Sequence, residues 1–423
     1  MKLINTGLAL MLMICMGGFA SCSSDDNPSL PDENAQPYDQ LEPLATSNTV
    51  TFTDNEQAVL AKLDKMAFEL YDAADINGAI TNTQNGNFCL SPTSAAICFT
   101  LYANSIDNPW RDQVVNSLGF KSIDEMNTLT TKLLTYLPAD ETGVLIKLAN
   151  SVWVNNKYTI SKDYKQFMQS TFRSPVSPLD VSDTGHAIGI INQWCNDNTE
   201  GLIKEIIENL PEDLGVFWAN ALYFQGAWAD KFDKTKTTKA TFHGADGDTQ
   251  ADMMRMCFAP KYASIGNSTI VSLPFSGDTY SLDVIISDNA LTMSEYMTLK
   301  AAAEPALVDL SLPRFTAGCN TDLIKVYPGL YNASINSTLG TVGLPMSYTT
   351  EDVKALQKTA FVVNEDGAEG ATVTEVHNYN SVTAGPEDEL KEPITVVIDK
   401  PFNYVVRNNA TGTIIFIGRV NNL

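Results

Sequence analysis

The sequence is poor in the side chains on which most enzymes rely. It carries only 3 histidines, His186, His243 and His377, among 423 residues. It contains no HExxH, no GxSxG and no phosphate-binding glycine motif, and the DGD turn at 246–248 lacks the spacing of a calcium loop. Catalytic triads are assembled in space, so this argument covers linear motifs only. We therefore expect a protein that is not an enzyme and that holds neither metal nor cofactor.

Basic residues are scarce as well. Lys and Arg together number 27 against 50 Asp and Glu, which gives a formal net charge of −23. Such a surface repels nucleic acid and the anionic face of a membrane. We therefore expect no nucleic-acid partner.

The sequence has no CxxC pair. Cys15 and Cys22 lie in the N-terminal segment, and an odd number of cysteines follows it: Cys89, Cys98, Cys195, Cys257 and Cys319. The hydrophobic fraction of 44% is ample for a packed core without a disulfide framework. We expect these thiols to be free and buried or half-buried.

No apolar run at the N-terminus is long enough to cross a bilayer as a helix. The run from Leu8 to Met16, after Lys2, is typical of a cleaved signal peptide. The segment FASC, Phe19 to Cys22, resembles a bacterial lipobox, in which the cysteine becomes the lipidated first residue. We predict a lipoprotein signal peptide over residues 1–21 and an outer-membrane lipid anchor at Cys22. The alternative is an ordinary secretory signal with an incidental cysteine.

Residues 22–52 contain polar, acidic and proline residues with few large apolar side chains. This composition predicts a flexible tether, with a reach of about 30 Å. Acidic residues directly after the lipidated cysteine resemble a surface-export signal of some Gram-negative bacteria. We therefore expect the domain to lie at the cell surface, with a periplasm-facing anchor as the alternative.

From residue 53 to residue 423 the composition is that of one globular domain, without an internal repeat or a second linker. Helical spacing of apolar residues dominates its first half, as in 123–137 and 186–198. Strand-like runs dominate its second half. This segregation predicts an α+β fold.

Several motifs in this domain occur in a recognisable order. They are INQWCNDNTEGLIKEII (191–207), NALYFQGAWADKF (220–232) and DKPFNYVVRNNATGTIIFIGRVNN (399–422). Together they resemble the serpin family over about residues 55–423. The resemblance implies N-terminal helices packed on a large central β-sheet, two further sheets and an exposed reactive-centre loop.

The resemblance also implies two regions that control the large sheet. Asn220 lies beside large aromatic residues, where a buried amide acts more often as a strand clamp than as a catalyst. Ser91 and Ser94 read as the start of a helix. The family places all three in the shutter, where strands of the main sheet part. Gln357 stands where most members have a histidine, which argues against opening by acid at this site.

The second region is the breach, where the sheet first opens. By matched position, Arg314 pairs with Glu365 and Trp228 packs beside them. A surface ion pair and a core tryptophan are the plain structural alternatives, and an exposed pair would contribute only about 0–1 kcal/mol.

The segment EDGAEGATVT resembles the hinge of the family's loop, commonly EEGTEAAAAT. It comprises Glu365, Asp366, Gly367, Ala368, Glu369, Gly370, Ala371, Thr372, Val373 and Thr374. Alternate residues of a strand face opposite sides. The even-numbered residues from 368 to 374 are all small and fit a packed sheet, whereas the odd-numbered side carries acids. A shift of one residue would bury those acids, so the segment enters a sheet in one register only.

The position of the reactive bond depends on which end of the loop is counted. The family spacing from the hinge glutamate gives Asn380 or Ser381, and counting back from Lys400 gives Leu390 or Lys391. We prefer the hinge count, because the length that inserts controls inhibition. We predict a loop over 365–393 with its reactive bond at Ser381–Val382. Tyr379, Asn380, Leu390 and Lys391 are alternatives.

The resemblance implies a monomeric inhibitor that forms a covalent acyl complex with its target protease. Tyr379 suits chymotrypsin-like enzymes and Ser381 elastase-like ones, and cysteine proteases form an acyl-enzyme too. The alternative is a non-inhibitory serpin-fold binding protein. Such members tend to carry bulky, charged or proline residues in the hinge, so its small residues favour the inhibitor.

Overall fold

The computed structural model describes residues 38, 41, 51–73, 80–81, 83, 85–137, 143–199, 201, 203–211, 213–288, 291–323, 338–345, 355–368 and 392–423. These residues belong to one compact unit, Tyr38–Leu423.

Most of the helices lie in the first half of the chain. They are α1 (Asp54–Ala73), α2 (Pro92–Ala103), α3 (Trp110–Ser117), α4 (Ile123–Tyr136), α5 (Lys162–Phe172), α6 (Thr184–Asn198) and α7 (Met293–Ala302), with a 3-10 turn at Lys234–Lys236. Helices α2, α4, α5, α6 and α7 each begin at a residue whose side chain accepts a hydrogen bond from a backbone N–H of the first turn. Ser122, for example, accepts a hydrogen bond from the backbone N–H of Glu125 at 3.2 Å where α4 begins.

The strands are concentrated in the second half. They are β1 (Ile80–Thr81), β2 (Phe88–Leu90), β3 (Val144–Asn155), β4 (Val176–Leu179), β5 (Val216–Ala227), β6 (Thr238–Gly244), β7 (Gly247–Phe258), β8 (Lys261–Ile265), β9 (Ser268–Pro274), β10 (Tyr280–Ile286), β11 (Glu304–Pro305), β12 (Val308–Pro313), β13 (Phe315–Asp322), β14 (Ala355–Asn364), β15 (Gly367–Ala368), β16 (Ile394–Val397), β17 (Phe402–Asn408) and β18 (Ile414–Val420).

These strands form three sheets. The large sheet has the order β1-β13-β14-β15-β5-β3-β4, and a second sheet has the order β11-β8-β9-β10-β17-β18-β2. The small sheet has the order β16-β12-β7-β6. Helices in one part of the chain and strands in another confirm the predicted α+β class.

Helix α2 lies in the core, since every one of its residues is buried. It contacts β5 of the large sheet and β18 of the second sheet. The two sheets also meet directly, where the ring of Phe361 on β14 stacks on Tyr404 of β17 with centroids 5.3 Å apart. This apolar contact forms the floor beneath β14.

The segment predicted as a tether is not solvated at every described residue. Tyr38 is 8% exposed and Phe52 is 9% exposed. Phe52 packs edge-to-face on Tyr136 of α4. Both aromatic rings remove apolar area from water, which a composition average does not register.

The described cysteines are free, as expected, but Cys257 is exposed while Cys89, Cys98, Cys195 and Cys319 are buried. Within the described ranges no group of three or more His, Cys, Asp or Glu side chains is placed to hold a metal ion. No helix in this part of the chain is both long and apolar enough to span a membrane.

Candidate functional site

An ion pair marks the point where the hinge leaves β14. Glu365 is 2% exposed and accepts hydrogen bonds from Nε of Arg314 at 2.9 Å and from Nη2 at 2.6 Å. Oγ1 of Thr237 donates to the same carboxylate at 2.6 Å. Burial by itself raises the pKa of the Glu365 carboxyl, but these hydrogen bonds outweigh it and hold the pKa below its ordinary value. The ionised carboxylate therefore fixes the start of the hinge beside β13.

Trp228, directly after β5, holds the main chain on both sides of Glu365. Its Nε1 donates to the carbonyl of Asn364 at 2.8 Å, and its backbone N–H donates to the carbonyl of Asp366 at 3.2 Å. The indole ring stacks on Phe275, with centroids 4.8 Å apart and planes at 6°. Packing and hydrogen bonding together make this tryptophan rigid.

The next two hinge residues already form a strand. In β15, Gly367 pairs with Asn364 of β14 and with Ala227 of β5. Ala368 is completely buried between the same strands. A Cβ on Gly367 would overlap the carbonyl oxygen of Gly226, so only glycine fits at this approach.

A second polar cluster lies at the other end of β14. The backbone N–H of Ser91 donates to Oε1 of Gln357 at 3.0 Å, and Nε2 of Gln357 donates back to the carbonyl of Ser91 at 2.8 Å. Oγ of Ser94 donates to Asn220, whose Nδ2 donates to Oδ1 of Asn150 at 2.6 Å. The cluster joins α2, β14, β5 and β3, and its buried amides have partners.

Between these two clusters, the described residues leave the centre of the large sheet without a strand pair. Strand β14 pairs directly with β5 at Ala355–Trp218 and Leu356–Ala219, and at its other end β15 lies between the two strands. Among the described residues, no ladder pair joins 357–362 of β14 to β5. We call this opening the slot. It exposes backbone groups that a further strand can pair with.

Three features of this site were absent from the sequence-based set. They are the bond from Thr237 to Glu365, the amide pair of Asn150 and Asn220, and the contacts of Lys231 and Lys234 with Asp366 at 3.9 Å and 2.5 Å. All of them join segments that are distant in the chain. The polar residues in ANSVWV (149–154) and KFDKTKTTK (231–239) are their only sequence signal.

The rest of the sequence-based site lies outside the described residues. This applies to Glu369, Gly370, Ala371, Thr372, Val373 and Thr374 of the hinge, to Tyr379, Asn380, Ser381, Val382, Leu390 and Lys391, and to Cys22.

The family model for serpins, described as serine protease inhibitors, matches residues 61–423. The chain belongs to the serpin family. Its hinge, slot and polar clusters are therefore parts of a serpin, and the expected serpin fold is confirmed.

Curated relatives of this serpin come from distant organisms. It is 26% identical to Neuroserpin of Homo sapiens over 360 residues, covering 80% of this chain and 86% of the relative. It is 26% identical to Antitrypsin of Bombyx mori over 375 residues, covering 85% and 94%. To Serpin-ZX of Arabidopsis thaliana it is 25% identical over 368 residues, covering 80% and 93%. The match spans most of each relative.

Solved structures share the fold at lower identity. Serpin48 of the insect Tenebrio molitor superimposes with a TM-score of 0.72 at 20% identity, covering 89% of this chain and all (100%) of the other. Thyroxine-binding globulin in complex with thyroxine superimposes with a TM-score of 0.72 at 18% identity, covering 86% and 99%. The second of these is a serpin-fold protein that binds a small molecule.

Proposed function

We propose that this serpin inhibits serine-type proteases by trapping them as acyl-enzymes, with elastase-like and chymotrypsin-like enzymes as the favoured targets and cysteine proteases as a further class. The observation that carries the proposal is the position of β15. The hinge has entered one end of the slot, and among the described residues nothing pairs with the facing edges of β14 and β5 beyond it.

The chemistry begins as ordinary proteolysis. The protease nucleophile attacks the carbonyl carbon of Ser381, an ester forms, and the amine of Val382 leaves with a proton from the protease. The inhibitor chain is then cut but remains attached to the enzyme through the ester. Only hydrolysis of that ester by water would release it.

Cleavage frees the loop to continue from β15 into the slot. Residues 365–381 would extend over about 55 Å at ~3.3 Å per residue, which is roughly the diameter of a compact domain of this size. The attached protease would be carried across the molecule, and its catalytic geometry would be disturbed before water can attack. Pairing along both edges of the slot supplies the free energy.

The hinge residues suit this motion. Ala368 is buried between β14 and β5, so the even-numbered, small side of the hinge faces the packed side of the large sheet. This register, continued through the loop, keeps Glu369 on the opposite side. The acids of the hinge then stay out of the packed side on which Ala368 lies.

The proposal is tested by incubating the purified protein with elastase-like, chymotrypsin-like and trypsin-like proteases. We expect an adduct that survives boiling in detergent, and a rise in the melting temperature of the cleaved protein. A protease whose catalytic serine is replaced by alanine is the control and should give no adduct. Mass spectrometry of the released C-terminal peptide separates cleavage after Ser381 from cleavage after Leu390 or Lys391.

A non-inhibitory binding protein is the second candidate, and the similarity to thyroxine-binding globulin favours it. Clean cleavage, with neither an adduct nor a rise in melting temperature, would support this candidate against the first.

For the location of the protein we propose an outer-membrane lipoprotein anchored at Cys22 and facing the cell surface, on the basis of the lipobox-like segment alone.

A further inference from the structure

Tyr38 lies within the segment whose composition predicts a tether, yet it is packed on the folded body. Its hydroxyl donates to Oδ2 of Asp197 at 2.7 Å, across 159 positions of sequence. Its ring meets Trp153 edge-to-face, with centroids 6.0 Å apart and planes at 83°. Burial, and then the neighbouring carboxylate, raise the pKa of the Tyr38 hydroxyl, so it remains a donor. The apolar packing of the Tyr38 ring on Trp153 and the hydrogen bond to the charged Asp197 carboxylate both stabilise Tyr38 in this position.

The two partners of Tyr38 belong to different elements. Asp197 lies in the last turn of α6, whereas Trp153 lies on β3 of the large sheet. Tyr38 therefore ties the end of α6 to the sheet beneath it.

Helix α6 covers the slot. Its residues Ile191 and Trp194 share a buried cluster with Phe217 of β5, and Ala360 of β14 packs against the same cluster. Helix α6 therefore packs on β5 and β3, and Ala360 brings β14, on the other side of the slot, against the same buried cluster. The residues after the helix are held in place as well, because Asn192 accepts hydrogen bonds from the backbone N–H groups of Ile206 and Ile207 at 2.8 Å and 3.0 Å.

A strand that fills the slot has to come to lie beneath α6. Buried clusters in proteins are close-packed, and an extra row of side chains under the helix needs space. We therefore expect α6 to lift from β3 while the strand passes. Whatever holds the end of α6 on β3 raises the barrier to that step.

We propose that Tyr38 is a strap that holds α6 against β3 and thereby slows strand insertion into the slot. This inference rests on the proposed function, since it concerns the same insertion. It assigns a positioning role to a residue that precedes the predicted serpin domain, in the segment whose composition predicts a flexible tether.

The test compares Tyr38→Ala and Tyr38→Phe with the unaltered protein and with Tyr262→Phe. Tyr262 is a half-buried tyrosine on β8, in the second sheet rather than the large one, and serves as the matched control. The first measurement is hydrogen exchange of the amides in 184–198. The second is the rate at which the uncleaved protein takes up a synthetic peptide of residues 369–381, EGATVTEVHNYNS.

We expect Tyr38→Ala to speed exchange in α6 and uptake of the peptide by about tenfold, which corresponds to about 1.4 kcal/mol. Tyr38→Phe keeps the ring and should give a smaller increase, and Tyr262→Phe none. Asp197→Ala combined with Tyr38→Phe should add little to either change alone, because Tyr38→Phe removes the donor and Asp197→Ala the acceptor of the same hydrogen bond.

The outcomes separate the strap from the proposed function. If Tyr38→Ala leaves the hydrogen exchange of the α6 amides unchanged, Tyr38 is not a strap, whatever the rate of peptide uptake. If hydrogen exchange in α6 is faster but the rate of peptide uptake is unchanged, Tyr38 holds α6 without slowing strand insertion, and inhibition by insertion is unaffected. If the unaltered protein takes up no peptide and gains no thermal stability after loop cleavage, the proposed function fails together with the brake.

Discussion

Nη2 of Arg314 lies 2.6 Å from Oε1 of Glu365, across the point where the hinge departs from β14. The glutamate is 2% exposed and the side chain of Arg314 is 44% exposed. The Glu365 carboxylate is therefore shielded from water and depends on its hydrogen-bond partners, whereas the Arg314 side chain remains in contact with water. This makes Glu365 the more sensitive of the two residues to substitution.

We predict that Glu365→Gln lowers the free energy of unfolding of the uncleaved protein by about 1–2 kcal/mol, because an amide keeps the shape but loses the charge-assisted hydrogen bonds. Urea unfolding measures the change. Lys234→Gln is the control, since Lys234 and its partner Asp366 are 63% and 52% exposed, and it should cost less than about 0.5 kcal/mol. Equal losses for the two variants would contradict the prediction.

The same pair predicts a dependence on pH. The pKa of Glu365 is lowered from its ordinary value of 4.5 in the folded protein. Its stabilising contribution is therefore fully present above pH 4.5 and is lost as the pH falls through the lower, folded pKa. The difference in unfolding free energy between the unaltered protein and Glu365→Gln should be constant from pH 8 to 6 and shrink towards pH 3. A difference that persists undiminished in acid would show that the charge is not its source.

We predict that the polar cluster at Ser91 does not respond to pH between 5 and 8, because the Gln357 amide does not titrate. Its amide both accepts from and donates to the main chain of Ser91. A neutral histidine supplies one donor and one acceptor, but a protonated one cannot accept. Gln357→His should therefore match the unaltered protein near pH 8. Its folded pKa would lie below the ordinary ~6.5, so it should lose up to about 2 kcal/mol of stability by pH 5.

Thermal unfolding of both proteins across this pH range measures the difference. The unaltered protein is the internal control, because Gln357 does not titrate. Parallel profiles for the two proteins would refute the prediction.

We predict that Ala368→Arg converts the inhibitor into a substrate. Ala368 is completely buried between β14 and β5, where a guanidinium has neither room nor a partner. The variant should be cleaved at the same bond, but the adduct should largely disappear and cleavage should no longer raise the melting temperature. Ala302→Arg, at an exposed position at the end of α7, is the matched control and should inhibit normally. An undiminished adduct with Ala368→Arg would sink the insertion mechanism.

The lipid anchor is tested by Cys22→Ser. This change removes the thiol that a lipid would modify, so the protein should move from the membrane fraction to the soluble fraction of the cells that make it. Protease treatment of intact cells then decides which side the domain faces: digestion of the unaltered protein indicates the surface, and protection indicates the periplasm. Retention of the variant in the membrane would argue for an ordinary secretory signal and another means of attachment.

Local patterns in the chain carried the prediction of fold class. Apolar spacing predicted helices over 123–137 and 186–198, and the structure has α4 at Ile123–Tyr136 and α6 at Thr184–Asn198. Capping serines and β-branched runs act through neighbours in sequence, so one chain is enough to read them.

The contacts of the site required more. The pairing of Arg314 with Glu365 was expected from the family resemblance, but the burial of that glutamate was not, and an estimate for an exposed pair undervalues it. The roles of Thr237 and Asn150 could not be predicted, because nothing in the neighbouring sequence of a hydroxyl or an amide shows which distant residue it will bind.

The sequence by itself determined the small side of the hinge, the single register in which that hinge enters a sheet, and the acidic character of the chain, because each depends only on the identity and alternation of residues. Only the tertiary structure decided that the two residues of β15 already lie between β14 and β5, that the described residues leave the slot beyond them unpaired, and that Tyr38 binds the body at α6 and β3. Those facts depend on residues more than a hundred positions apart being brought together. The free energy that does so comes from burial summed over the whole core, which no single segment of the sequence carries.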